Sequence, residues 1–213
     1  GVYASAYSLL GHTQHALSVD TTETLRHLDL VVAMDFGVSY RPLGIRDRQT
    51  GRWIRGLVAH REQMNTRLHL GFFGFIDIGA ELPFIIYQEA NLPGAKLGTV
   101  DATGLGDIGL YTKLRILSPK SVIGVALANE LRLPTGTDNA WMSGGAMSTE
   151  PALIVSRAAG PSHVSFRFGY RFKDAVDLFD IEDGHRITFG LATRYRLPFI
   201  QERLTTILEA KGA

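Results

Sequence analysis

Between positions 28 and 40 apolar side chains fall on every second residue: Leu28, Leu30, Val32, Met34, Phe36, Val38 and Tyr40 alternate with Asp29, Val31, Ala33, Asp35, Gly37 and Ser39. A period of two belongs to a pleated strand, whose successive side chains point to opposite faces. The period returns down the chain. Gly106, Ile108, Leu110, Thr112, Leu114 and Ile116 alternate with Asp107, Gly109, Tyr111, Lys113 and Arg115, and Ile123, Val125, Leu127, Leu131 and Leu133 stand against Glu130 and Arg132. Val164, Phe166, Phe168, Tyr170 and Phe172 face away from Ser165, Arg167, Gly169 and Arg171. Ile187, Phe189, Leu191, Tyr195 and Leu197 face away from Arg186, Thr188, Gly190, Arg194 and Arg196.

These runs reach ten residues or more, whereas soluble strands average ~5 to 6 and a tilted membrane-crossing strand needs ~9 to 11. Connection lengths add an independent argument, because outer-membrane barrels pair short periplasmic turns with longer external loops. Short links are expected at 73–76, 118–121, 158–162 and 198–201, and longer ones at 41–52, 88–103, 134–148 and 173–184. Aromatic residues gather near the strand ends, with Tyr40, Trp53, Tyr87 and Phe172 beside long loops and Phe73, Phe75 and Phe199 at short turns. That placement suits two interfacial girdles, although aromatics also favour strands in general.

Pro83 cannot donate a ladder hydrogen bond, so a bulge or early strand end is expected within 77–87. His60 and Glu62 interrupt the greasy face of 53–72, which places that stretch beyond the bilayer. Asp20 to His27 reads as a short capped turn, with Asp20 as cap and Glu23 three residues on. The count is about ten strands, including one within 2–19 and a last one over 203–211. The chain starts at Gly1 without a basic and apolar leader and ends without a terminal aromatic residue, so an export signal, and further strands or a domain, are expected in a longer parent.

The 213 residues suit one domain, spanning 1–213, with no compositional break inside it. Hydrophobic residues at 45% and charged residues at 20% exclude a disordered tail and suit either a soluble β-domain or a membrane barrel. Lys and Arg number 22 against 21 Asp and Glu, and no basic stripe forms, so no nucleic-acid partner is expected. Cysteine is absent, which removes disulfides, thiol nucleophiles and Cys-ligated metals. No run approaches the ~20 apolar residues of a spanning helix.

Three segments carry a family likeness: Arg41-Pro42-Leu43 with Arg46-Asp47, Gly104-Leu105-Gly106-Asp107-Ile108-Gly109, and Leu133-Pro134-Thr135-Gly136 followed by a glycine-rich loop and Glu150-Pro151. Over roughly 28–210 the chain resembles the transporter-like proteobacterial barrels related to the phenol-degradation outer-membrane family, especially the N-terminal barrels of myxobacterial OmpA-domain proteins. The resemblance implies an integral outer-membrane protein, sometimes followed by a peptidoglycan-binding periplasmic domain. Its motifs are turn and strand-edge signals and carry no chemistry.

Gly104 to Gly109 fits the dinucleotide fingerprint formally, but the residues after it alternate as a strand and supply no helix N-terminus for a pyrophosphate. No cofactor is expected. Seven scattered histidines form no zinc-ligand spacing, and His12 and His15 fall on opposite faces of a strand, so no metal site is expected either. Ser143 and Ser148 lie in a glycine-rich loop outside any nucleophile-elbow motif, so no catalytic residue is proposed and the chain is read as a non-enzyme.

The informative set is the face opposite the greasy one: Asp29, Asp35, Asp77, Glu81, Asp107, Lys113, Arg115, Glu130, Arg132, Arg167, Arg171, Arg194 and Arg196. A Lys or Arg facing the bilayer midplane costs ~2 to 4 kcal/mol, so these residues are assigned to a lumen. They serve there either as an ion-lined pore or as opposite charges that pair across a narrow interior and hold it together. The expected fold is therefore all-β, an antiparallel transmembrane barrel of about ten to twelve strands. Its expected role is a narrow outer-membrane channel for small polar solutes, with outer-membrane lipid as its surround. Two alternatives stay open: a structural anchor, whose partner would be peptidoglycan through a further C-terminal domain, and a soluble lipocalin-like barrel with its apolar face inward around a greasy ligand.

Overall fold

The computed structural model describes residues 19–46, 53–90, 103–118, 122–137, 142–173, 176–178, 181–196 and 205–212. Twelve strands follow in order: β1 (Leu30–Arg46), β2 (Trp53–Phe72), β3 (Ile76–Ala90), β4 (Gly104–Leu105), β5 (Ile108–Leu117), β6 (Gly124–Leu133), β7 (Ser148–Ala159), β8 (Ser162–Lys173), β9 (Val176–Leu178), β10 (Ile181–Asp183), β11 (Arg186–Arg196) and β12 (Thr205–Gly212). Ten belong to one antiparallel sheet ordered β1-β2-β3-β5-β6-β7-β8-β11-β12, with β4 beside β3. β9 and β10 pair separately as a small hairpin within the expected long loop at 173–184. The sheet curls into a half-barrel, and the all-β antiparallel fold is the one the alternation predicts.

The pleat sets the two faces. Along β8 burial alternates residue by residue: His163, Ser165, Arg167 and Gly169 are buried, and Val164, Phe166, Phe168, Tyr170 and Phe172 are exposed. The register continues this across the wall, with Phe168 opposite Phe189 on β11 and Leu153 on β7. Leu30, Met34 and Phe36 of β1 are 63%, 69% and 59% exposed, on the same outer surface. The concave face carries the polar and small residues instead. An apolar face turned inward around a ligand, which the lipocalin-like alternative requires, is the opposite of this arrangement.

The ends of the strands differ. β2 turns into β3 through Phe73 and Gly74, which have φ of 54° and 72°. Two successive left-handed residues match the twist of a tight hairpin, and glycine takes the second at no steric cost. β7 turns into β8 through Gly160 and Pro161, so the short links expected at 73–76 and 158–162 are found there. The link at 118–121 lies partly, and that at 198–201 wholly, outside the described residues, as do His12, His15, all but Val19 of the strand expected within 2–19, and most of 88–103. Four residues of 134–148 likewise lie outside.

Two expectations need correction. Residues 41–46 continue β1 and do not open the loop, with register shifts after Tyr40 and Leu43 around Pro42, which has no N–H to donate. Within 77–87 a bulge is found and an early strand end is not: the register with β2 slips between Ile85 and Tyr87, and β3 runs on to Ala90 while its ladder with β5 stops at Glu81↔Gly109 and resumes with β4 at Phe84↔Leu105. Pro83 removes a donor from that side only, and its carbonyl still accepts from Gly106 N at 2.9 Å. Finally, Asp20–His27 form no helical turn: Asp20 is fully buried among wall side chains, which outcompete a local cap.

The candidate functional site is the polar concave face

On β2, Asn65, Arg67 and His69 alternate inward, and neighbouring strands set carboxylates beside them. Arg67 pairs with Asp35 of β1 through Nη2 and reaches Glu81 Oε2 of β3 from Nε at 3.4 Å. Glu81 in turn meets Arg132 of β6 at 3.4 Å, and Arg132 Nε donates to Glu130 Oε1 at 2.6 Å. This relay crosses from β1 to β6 because each position sits on the inward phase of its own strand. Gly109 lies between Glu81 and Arg132 in register.

A second cluster centres on Glu150 of β7. Arg167 Nη1 donates to Glu150 Oε1 at 2.7 Å, Arg171 donates through Nε at 2.8 Å and through Nη2 at 2.7 Å to Oε2, and Thr188 Oγ1 donates to Oε1 at 2.9 Å. Both oxygens are thus saturated by donors from β8 and β11. Glu150 also lies opposite Glu130 in register, so the two clusters adjoin along one inner belt. Acids and bases nearly balance around it. Not every atom is matched on the protein: Glu130 Oε2 and Arg167 Nε and Nη2 are buried without a protein hydrogen-bond partner among the described residues. Buried polar atoms of this kind are normally completed by solvent or a bound solute.

The third cluster lies toward the short-turn end and includes a segment that is not part of the wall. Lys113 of β5, with its side chain fully buried, sits 3.4 Å from Asp77 Oδ2 of β3 and 3.2 Å from Asp20 Oδ1. Tyr111 also donates its hydroxyl to Asp20. At the opposite end, Asp107 accepts from Gly136 N at 3.0 Å and Gly144 N at 2.6 Å, tying the β6–β7 loop to the mouth, where Met142 packs on Ile85.

The structure therefore brings Asp35, Glu81, Glu130 and Arg132 together through Arg67, Arg167 and Arg171 together through Glu150, and Asp77 with Lys113 through Asp20. Asp29 is exposed just before β1, and Arg196 is exposed at the other edge of the short-turn rim, where its N–H donates to Pro161 O at 3.0 Å. Arg115 and Arg194 are half-buried near that same rim, and Asp107 stands at the far mouth. Arg67, Glu150 and Asp20 are organising residues that the sequence reading did not assign to the inner face. For Arg67 a signal existed: Asn65, Arg67, His69 and Gly71 alternate with Thr66, Leu68, Leu70 and Phe72. Ser143 Oγ is engaged locally by Gly145 N at 3.1 Å, and Ser148 is buried in β7. Among the described residues no cluster of three metal-ligating side chains occurs.

Polar side chains on the inner face and apolar ones on the outer face of a curled antiparallel sheet make a barrel-like wall with a polar interior. No family model matches the chain, and no curated protein matches it. Among solved structures, the chain is similar to the crystal structure of an outer membrane channel from Pseudomonas putida F1, with a TM-score of 0.57 at 16% identity, over 82% of this chain and 68% of that one.

Proposed function

We propose that the chain is an integral outer-membrane barrel that conducts small polar solutes through a narrow, charge-lined lumen. The observation that carries this reading is the inversion of polarity between the two faces. Large apolar side chains stand exposed on the outer face of β1, β3, β8 and β11, more than the scattered apolar residues of a soluble monomer's surface, and are accommodated by lipid. On β8 they extend from Val164 to Phe172, about 27 Å along the strand, or roughly 20 Å along the membrane normal at the usual tilt. That approaches the ~25 Å apolar band of outer-membrane barrels. Tyr40, His60 and Tyr87, with successive ring centroids 5.0 and 6.0 Å apart, mark its upper edge, and Phe73, Phe75 and His27 mark its lower one. The unmatched inner atoms of Glu130 and Arg167 support a lumen that holds water or solute. The likeness to a solved outer membrane channel supports the same reading through the fold alone.

Single-channel recording in planar bilayers tests it. Salt-dependent conductance steps are expected, with weak ion selectivity because the belt is nearly neutral, and Arg167→Glu should shift selectivity toward cations. Folded protein that stays electrically silent would instead favour the anchor reading, which the density of ion pairs across the interior also suits. The kinship with transporter-like and OmpA-domain barrels belongs to this proposal, as do small polar solutes and peptidoglycan as partners.

A further inference from the structure

At the short-turn rim the chain encloses a cavity of about 460 Å³, bounded by residues 24–27, the turn at Phe73 and Gly74, and Arg115 of β5. Backbone contacts fix its walls. Residues 26–29 form a turn in which Asp29 N donates to the Arg26 carbonyl at 3.2 Å, and that turn is pinned to β2 because Leu28 N donates to Gly71 O at 2.8 Å and Gly71 N donates to Asp29 O at 3.0 Å. Leu28 takes φ of 63° to make the reversal, a left-handed conformation that leucine rarely adopts. On the other side, Thr24 Oγ1 donates to Gly74 O at 2.7 Å and Arg115 N donates to Phe75 O at 2.8 Å. His27 stacks on Phe73, and its Nδ1 accepts from Phe73 N at 3.2 Å, so the neutral ring carries its proton on Nε2.

The cations of this cavity differ from those of the inner belt. Arg67, Lys113, Arg132, Arg167 and Arg171 each meet a carboxylate. Arg26 and Arg115 meet none among the described residues, and no carboxylate lines the cavity. Asp77, the acid that approaches the adjoining Leu25, already accepts from Leu25 N at 2.9 Å and lies 3.4 Å from Lys113. Two guanidinium groups on one cavity repel each other unless an anion lies between them, and their planar forks match the oxygens of phosphate. We infer that the cavity is a phosphate site, in which Arg26 and Arg115 clasp the phosphate group of a phospholipid or of a free phosphate ester, with His27 as a further donor. Its surroundings favour lipid. Short turns face the periplasm in outer-membrane barrels, which sets the cavity level with the phosphates of that leaflet. Leu28, Leu30 and Phe73 stand 63%, 63% and 68% exposed beside it, an apolar track for an acyl chain. The site rests on charge and packing at the rim and holds whether or not the lumen conducts.

Calorimetric titration of the folded protein in maltoside detergent tests the site, with inorganic phosphate, glycerol 3-phosphate and dioctanoyl phosphatidylglycerol as probes and phosphate-free dioctanoylglycerol as the control. Saturable one-to-one binding of the phosphatidylglycerol is expected, weakened at least tenfold in the double variant Arg26→Gln/Arg115→Gln. Arg157→Gln, at an exposed arginine of β7 outside the cavity, should change it less than twofold. Phosphatidylglycerol binding at least tenfold tighter than either soluble phosphate assigns the site to lipid, and a smaller difference assigns it to free phosphate esters. A second measurement needs no variant, and so decides the matter even where the double variant fails to show the heat-modifiable migration of a folded barrel. Phenylglyoxal modifies accessible arginines, and peptide mass spectrometry should show Arg26 and Arg115 protected at least severalfold by phosphatidylglycerol while Arg157 reacts as before. No saturable binding of any phosphate probe, equal binding of dioctanoylglycerol, affinity that survives the double variant or falls equally in Arg157→Gln, or protection that does not favour Arg26 and Arg115 would each overturn the site.

Discussion

Replacing Glu150 by glutamine keeps the side-chain volume and an acceptor oxygen for Thr188, but removes the charge that neutralises Arg167 and Arg171. Arg167 has only 4% of its side chain exposed, so its guanidinium cannot turn to bulk water when the carboxylate is lost. Arg171 is 21% exposed and recovers part of its hydration. Breaking a buried ion pair from one side costs about 3–5 kcal/mol, because the remaining charge stays desolvated. With Arg171 discounted for solvent, Glu150→Gln should cost about 3 kcal/mol, roughly a hundredfold in the folding equilibrium. The assay is urea unfolding of the barrel in lipid vesicles, followed by the heat-modifiable band and by intrinsic fluorescence. Glu89→Gln is the control, since Glu89 is exposed and its loss should stay within about 0.5 kcal/mol. A double-mutant cycle with Arg171→Gln should show that the second substitution costs less in the Glu150→Gln background than in the parent. A Glu150→Gln loss below about 1 kcal/mol, or strict additivity with Arg171→Gln, would refute the view that the Glu150 cluster holds the interior together.

Two further predictions concern the outer face and the far mouth. Phe168→Arg points a cation into the apolar band and should cost about 2–4 kcal/mol in the same vesicle titration, whereas Ser118→Arg at the short-turn rim should cost less than about 1. Asp107→Ala removes both acceptors that hold Gly136 and Gly144, so limited proteolysis of intact vesicles should cut the β6–β7 loop at least severalfold faster than in the parent, with no change in barrel stability beyond about 1 kcal/mol. An unaltered digestion rate would show that Met142 packing alone fixes the loop.

What was legible in the sequence was the direction of each strand's faces. Phe166, Phe168 and Tyr170 stand outside and Arg167 and Arg171 inside because a period of two needs no knowledge of neighbours. Glu150 escaped for a local reason. It entered only with Pro151 in a segment of turn and strand-edge signals, and a proline beside it does not advertise a central strand. The register shows how β7 tolerates it: Pro151 is paired with Asn129 of β6, while the β8 ladder passes from Thr149↔Phe172 to Ala152↔Gly169 without a bridge at 150 or 151. Asp20 escaped for a different reason. Its acid-plus-three spacing suggests a cap, but its partners Tyr111 and Lys113 lie some ninety positions away, and only the curled sheet brings them to it. Arg67 was hidden by the polar His60 and Glu62 on the outer phase of the same strand, which drew attention to the strand's upper part and away from its inward alternation.

Which face of the wall meets lipid separates a membrane barrel from a soluble one. With no native cysteine, single cysteines placed in turn from position 163 to 172 on β8 can carry an environment-sensitive fluorophore in reconstituted vesicles. Positions 164, 166, 168 and 170 should be quenched by brominated lipid and shielded from aqueous iodide, while 163, 165, 167 and 169 should escape the lipid quencher. Lipid quenching that ignores this alternation, or protein that remains monomeric and soluble without detergent, would contradict an outer-membrane barrel with a polar interior.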